Sequence, residues 1–284
     1  MPEVAMSVGI LIDEATGRLR RSGIAGARRE ALHIWEDLTS SALGDAMLHR
    51  DRVVEGWVAE RFQQAVERRA SGEPLAHVTG YCGFRHLRLR SDGRALIPRP
   101  ETEGLVDLVL ARVRTGTIAD VGTGTGCLAL SLALEGSFEQ VVGVDCSAEA
   151  LDLAKLNRDL VRAPVTLVQG DWCTPLRPGT LDALVSNPPY LTAGEYADLD
   201  GSVRDWEPAS ALVSGDDGMQ LTDRILAEGQ AVLRPGGWLA LEVDCSRAAL
   251  AALQASELGW SEVSIHIDLF GRERYLLARR NKTR

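Results

Sequence analysis

The fold class this sequence predicts is a doubly wound, mostly parallel α/β sheet, preceded by a small helical bundle and a β-hairpin linker. Three observations predict it. After Pro100 short apolar runs alternate with helical segments in strand, helix, strand order. Before about residue 70 the apolar spacing is helical throughout. A glycine-spaced turn, "DVGTGTG", joins an apolar run to an apolar helix, as nucleotide-binding sheets require. A chain of 284 residues is long enough for one large domain and one small one.

The N-terminal element, residues 1–72, is read from segments such as "ARREALHIWEDL", where Ala31, Leu32, Ile34, Trp35 and Leu38 fall on or near one helical stripe. Gly23, Gly26, Gly44 and the run Thr39 to Ser41 break the region into several short helices. Its charge is close to neutral, so the rest of the chain carries nearly all of the formal net charge of -9. The bundle either supports the larger domain or recognises a substrate. Residues 73–97 form the linker: "YCGFRHLRLRSDGRALIPRP" alternates, with Asp92-Gly93 as its turn signal. Residues 98–284 form the large domain, whose strands are read in "TIADVG", "VVGVD", "VTLVQGD", "LDALVSN", "WLALEVD", "VSIHI" and "RYLLAR".

Composition removes several function classes. A sequence pI near 5.2 and the absence of a basic stripe argue against stable binding of nucleic acid or an anionic membrane. The five cysteines are scattered without a CxxC pair, and the five histidines show no HxxxH or HExxH spacing. Reduced thiols, a cytoplasmic location and no metal site are expected. The early run "MSVGILI" is followed at once by Asp13 and Glu14, and no segment approaches the roughly 20 apolar residues of a membrane span, so a soluble chain is expected.

In the glycine turn, Gly122, Thr123, Gly124, Thr125 and Gly126 are candidate cofactor contacts, because glycine lets backbone turn sharply and approach a ligand. The spacing GxGxG lacks the last interval of the dinucleotide fingerprint, and no GK[ST] follows. Asp145 closes the next apolar run, where a carboxylate can accept both hydroxyls of a ribose. Asp171 and Trp172 close the third, the acid for an adenine amino group and the indole to cover the ring. A strand-end Asp is equally a helix N-cap, and a Trp equally core; in order on three successive strands they point to an adenosine-containing cofactor. A ribose acid without a phosphate device suits S-adenosylmethionine, and methyl transfer needs positioning rather than a nucleophilic side chain.

The fourth run ends in "SNPPYL". Pro188 forces Asn187 toward extended geometry, and neither Pro188 nor Pro189 has a backbone N–H. The segment therefore offers a carboxamide and carbonyls with few competing donors. The matching target is a planar nitrogen bearing N–H bonds, an amide or the exocyclic amine of a base. The Asn187 oxygen and the Pro188 carbonyl would accept the two N–H bonds, Tyr190 would pack on the planar group, and the same acceptors would stabilise positive charge growing on nitrogen.

Taken together, "GEPLAHVTG", "LIPRPETE", "DVGTGTG", "GDW", "SNPPY", "EPASALVSGDDG" and "LRPGGWLALE" resemble the N5-glutamine methyltransferases of peptide chain release factors, the HemK/PrmC family, over nearly the whole chain. NPPY alone is shared with amino-methyltransferases acting on DNA, RNA and protein; "IPRPETE" beside it is more specific. The resemblance implies a class I S-adenosylmethionine-dependent methyltransferase fold. It implies cofactor contacts from Gly122 to Gly126, Asp145, Trp172 and Asn187, and a grip on the glutamine of the GGQ loop by Asn187, Pro188, Pro189 and Tyr190. It makes the helical bundle a docking element for the release factor, and places Arg99, Thr102 and Glu103 at the methionine end of the cofactor. A monomer is expected. Two departures stand out: "EVDCSRAAL" follows Glu242 where the family often has a glycine, and "YCGF" lacks the usual acidic residue before Phe84. A glutamine of a ribosomal protein and a base amine of DNA or RNA are the alternative acceptors.

Overall fold

A computed structural model describes residues 6–42 and 44–282. The chain forms two compact units, one running up to Tyr81 and taking in Asp200–Trp206, the other comprising Cys82–Leu199 and everything from Glu207 onward. The expected boundary after residue 72 thus lies inside the first unit.

The first unit holds α1 (Val8–Arg21), α2 (Ala27–Thr39), α3 (Asp45–Leu48), α4 (Gly56–Ala70) and α5 (Leu75–Thr79). Ser7 caps α1 by accepting the Ile10 N–H. Leu11, Ile12 and Leu19 of α1 bury against Ile34 and Trp35 of α2 and Phe62 of α4. The indole of Trp35 meets the Phe62 ring edge-on at 5.4 Å between centroids. Of the expected stripe, Ala31, Ile34 and Trp35 are fully buried and Leu32 and Leu38 pack at its margin.

The linker is a two-stranded hairpin, β1 (Tyr81–Phe84) and β2 (Leu87–Arg90). It reverses at Arg85, whose φ is 53°, and His86, not at Asp92-Gly93. Asp92 instead accepts from the backbone and guanidinium of Arg94, closing a separate turn. Asn157 ties β2 to the glycine turn: it accepts from the Arg90 N–H and donates to the carbonyls of Arg90 and Thr125.

The second unit continues with α6 (Glu103–Leu110), β3 (Thr117–Val121), α7 (Cys127–Glu135), β4 (Gln140–Asp145), α8 (Ala148–Val161), β5 (Val165–Gln169) and β6 (Leu181–Ser186). After α9 (Ala193–Ala197), and α10 (Gly201–Arg204), which belongs to the first unit, come α11 (Gln220–Val232), β7 (Leu233–Glu242), α12 (Ala248–Glu257), β8 (Ser261–Ile267) and β9 (Glu273–Arg279). All seven expected strands form one sheet in the order β5-β4-β3-β6-β7-β9-β8. The pairings from β5 to β7 are parallel, and β9 runs antiparallel to both neighbours. Successive residues of β3 point to opposite faces, so Ala119 and Val121 join the core with α11 and α12, while Ile118 joins the core with α6 and α7. The order reverses between β3 and β6, which opens a crevice at their carboxyl ends.

Among the described residues no helix is long and apolar enough to cross a membrane.

Candidate active site

The site begins where β3 and β6 end. Ser186 donates its hydroxyl to the Val121 carbonyl at 2.6 Å and fixes the two strand ends side by side. From β3 the chain turns through Gly122, with φ 72°, where an added Cβ would lie 3.2 Å from the Trp172 ring. Glycine therefore sets how closely the indole approaches the loop. Gly126, with φ 85°, caps α7, and a side chain there would press on Leu130.

The loop is pinned at both ends. Gly122 and Thr123 donate backbone N–H groups to the Val144 carbonyl. Beneath them lies Asp120, 1% exposed, which accepts from the Thr123 hydroxyl at 2.6 Å and the Ala129 N–H at 3.2 Å. Its other carboxyl oxygen is buried without a partner, and desolvation pushes the group up to about 7.

At the end of β4, Asp145 accepts the Gly124 N–H at 2.8 Å with one oxygen and the Ser147 N–H at 2.9 Å with the other. Each oxygen keeps a lone pair, so the side chain is oriented and still able to accept two hydroxyls. Trp172 adopts φ 50° and turns its ring against Gly122. Its neighbour Asp171 does not share the cavity. That carboxylate is held by Arg224 of α11 at 2.6 and 3.1 Å.

Beyond β6, Asn187 donates its Nδ2 to the Thr102 hydroxyl at 3.0 Å, and Thr102 donates to Glu242 Oε2 at 2.7 Å. Thr102 and Glu242 are 2% and 1% exposed. Burial raises the Glu242 carboxyl to about 7, against the lowering effects of the Thr102 hydrogen bond and the Arg274 charge. Pro188 and Pro189 are buried, and the guanidinium of Arg274 lies over the Tyr190 ring at 5.9 Å. Burial raises the Tyr190 phenol, leaving it neutral.

Glu207, its side chain fully buried, accepts the Ile97 N–H at 2.8 Å and an Arg99 N–H at 2.6 Å. This joins the "IPRP" segment to "EPAS" across one side of the cavity. The cavity is walled by residues 93–96, Pro98 and Arg99 with Thr102, by the glycine loop from Gly122 to Thr125, by Asp145 and Trp172, and by Asn187, Pro189 and Pro208. Eight of the twelve residues proposed from sequence to hold cofactor or substrate thus line a single cavity, as do Arg99 and Thr102 of the three placed at its methionine end, while Glu103 instead accepts the Arg85 N–H. Gly126 sits behind it as a helix cap, Asp171 faces Arg224, and Pro188 and Tyr190 lie beside it.

Sequence reasoning missed Asp120, Glu207 and Glu242 as parts of the site. Only position betrays them: Asp120 lies near the end of β3, Glu242 ends β7, and Glu207 opens "EPAS", a loop with no chemical signature of its own.

Comparison with known proteins finds matches in both units of the chain. The family model "PrmC N-terminal domain" matches residues 11–80, and "Methyltransferase small domain" matches residues 101–199. Among curated proteins, a release factor glutamine methyltransferase of Nitratidesulfovibrio vulgaris is 39% identical, covering 95% of this chain and 94% of its own. One of Deinococcus radiodurans is 38% identical (97% and 99% covered), and one of Moorella thermoacetica 37% (98% and 100%). Of solved structures, a methyltransferase from Pyrococcus furiosus superposes with a TM-score of 0.54 at 19% identity, covering 70% of this chain and 91% of that one. That likeness concerns the fold.

Proposed function

Because the chain belongs to the release factor glutamine methyltransferase family, we propose that it methylates the side-chain amide nitrogen (N5) of the glutamine in the GGQ motif of a peptide chain release factor, using S-adenosylmethionine. The observation that carries this reading is the placement of Asn187 and Pro189 in the same cavity as the glycine loop, Asp145 and Trp172.

The residues present fit the cofactor. Asp145 is oriented by two backbone N–H groups and keeps acceptor capacity for a ribose. Trp172 supplies an aromatic wall, and no basic side chain of a phosphate site lies in the loop. S-adenosylmethionine supplies a methyl group on a positively charged sulfur, whose transfer leaves a neutral thioether and, after loss of one amide proton, a neutral N-methyl amide.

The protein's own part is positional. An amide nitrogen is a poor nucleophile, because its lone pair is delocalised into the carbonyl. Two acceptors, the Asn187 side-chain oxygen and the Pro188 carbonyl, hold its two N–H bonds and stabilise the charge that grows on nitrogen. Tyr190, neutral and backed by Arg274, offers a flat face to the planar group. No nucleophilic side chain takes part.

The test is methyl incorporation from labelled S-adenosylmethionine into three separate acceptors: a purified release factor, a ribosomal protein preparation and free nucleic acid. Label confined to the release factor is the expected outcome. Label on either of the others alone would replace it.

A further inference from the structure

Asn187 is useful only in one orientation. A carboxamide turned by half a rotation presents Nδ2 instead of Oδ1, and a donor facing the donors of an amide repels them. The surroundings of Asn187 decide which end faces the cavity. Thr102 has one hydroxyl proton, which it gives to Glu242 Oε2, so its remaining capacity toward Asn187 is as an acceptor. We propose that Thr102 and Glu242 are positioning residues that set the polarity of the Asn187 amide, with the ionised carboxylate of Glu242 as the terminal acceptor of the chain. The inference rests on the proposed reaction and adds to it the residues that make Asn187 an acceptor.

Protonation of Glu242 reverses the argument. A carboxylic acid can donate to the Thr102 oxygen, which frees the threonine proton for Asn187 Oδ1 and turns Nδ2 toward the substrate. The groups facing Glu242 are Arg274 and Tyr275 of β9, Arg99 and Glu101 of the segment before α6, and Tyr190 after β6. The two arginines favour the ionised form and Glu101 opposes it. With burial the strongest influence, the carboxyl titrates near neutrality and not in the ordinary acid range.

Three variants of the full chain test this, each with kcat, KM for the release factor, and S-adenosylmethionine affinity by calorimetry. Thr102→Val keeps the shape and removes both hydrogen bonds; kcat is expected to fall about tenfold or more, the loss of a hydrogen-bonded link to a charged group, with cofactor affinity little changed. Thr102→Ser restores the hydroxyl and most of kcat. The wild type is expected to lose kcat toward acid pH; Glu242→Gln offers oxygen or nitrogen to Thr102 at every pH, so that decline is expected to be absent in it. A Thr102→Val enzyme with wild-type kcat, a folded Thr102→Ser enzyme as slow as Thr102→Val, or an unchanged acid limb in Glu242→Gln would overturn the proposal. Should Thr102→Val not fold, the Glu242→Gln pH profile decides. A wild-type enzyme that leaves the release factor unmodified would refute the reaction itself, a separate outcome.

Discussion

At the scale of single residues, the site divides into side chains that hold a ligand and side chains that hold other side chains. In the proposed reaction Asn187 belongs to the first kind. Asn187→Ala removes one of the two transition-state acceptors, so kcat should fall about 100- to 1000-fold while S-adenosylmethionine affinity stays within a few-fold of wild type, checked by single-turnover kinetics and calorimetry. The role proposed for Gly122 is toward the cofactor instead. A side chain there needs φ 72° and must displace the Trp172 ring 3.2 Å away, so Gly122→Val should weaken cofactor binding and leave Asn187 in place. An unchanged Kd in that variant would remove Gly122 from the cofactor pocket. Sequence reading discriminates poorly here. Asp145 ends β4 and Asp171 follows β5, but only Asp145 lines the cavity; Asp171 pairs with Arg224, more than fifty residues downstream. A strand-end carboxylate looks the same in a sequence whichever partner folding brings to it.

At the scale of elements, periodicity made all seven strands of the large sheet legible, because strands packed into a core are short apolar runs bounded by turns. Turn chemistry was less reliable. Asp92-Gly93 carries the stronger hairpin signal, yet the strands pair four residues each around Arg85-His86. Arg85 tolerates its φ of 53° because its backbone N–H reaches Glu103 and its guanidinium reaches Glu103, Asp107 and Glu135. Tertiary partners far along the chain thus outweighed local propensity. The union of three element ends at Thr102, Asn187 and Glu242 was invisible for the same reason: 140 residues separate Thr102 from Glu242.

This union also has a measurable cost in stability. Glu242 folds with its carboxyl raised from the ordinary 4.5 to about 7, so between these values the folded state binds more protons than the unfolded one. Its contribution to stability is therefore present at acid pH and lost as pH rises through about 7. Urea unfolding at several pH values should show that the wild type loses stability relative to Glu242→Gln across that window. A constant difference would contradict the burial argument. Function and stability then ask for opposite protonation states at one residue, as active sites often do.

At the scale of the whole molecule, two units carry separate cores, and each has its own test. In the helical unit Phe62 is 1% exposed and meets Trp35 edge-on. Phe62→Ala should destabilise that unit by about 3–5 kcal/mol. Hydrogen exchange at the backbone amides of α1, α2 and α4 should report the loss, while S-adenosylmethionine binding to the sheet unit persists. The neutral charge of the bundle and the acidic remainder were readable from composition, but the passage of residues 200–206 into the first unit was not. Nothing in a linear sequence marks a short helix as belonging to a unit more than a hundred residues upstream.

The central claim is that Asn187 presents an acceptor to a glutamine amide of a release factor. Tandem mass spectrometry of a release factor incubated with S-adenosylmethionine and either the wild type or Asn187→Ala tests it most directly. One methyl group on the side-chain nitrogen of the GGQ glutamine is expected with the wild type, and little or none in the same interval with Asn187→Ala. A methyl group on another residue, or equal modification by both enzymes, would contradict it.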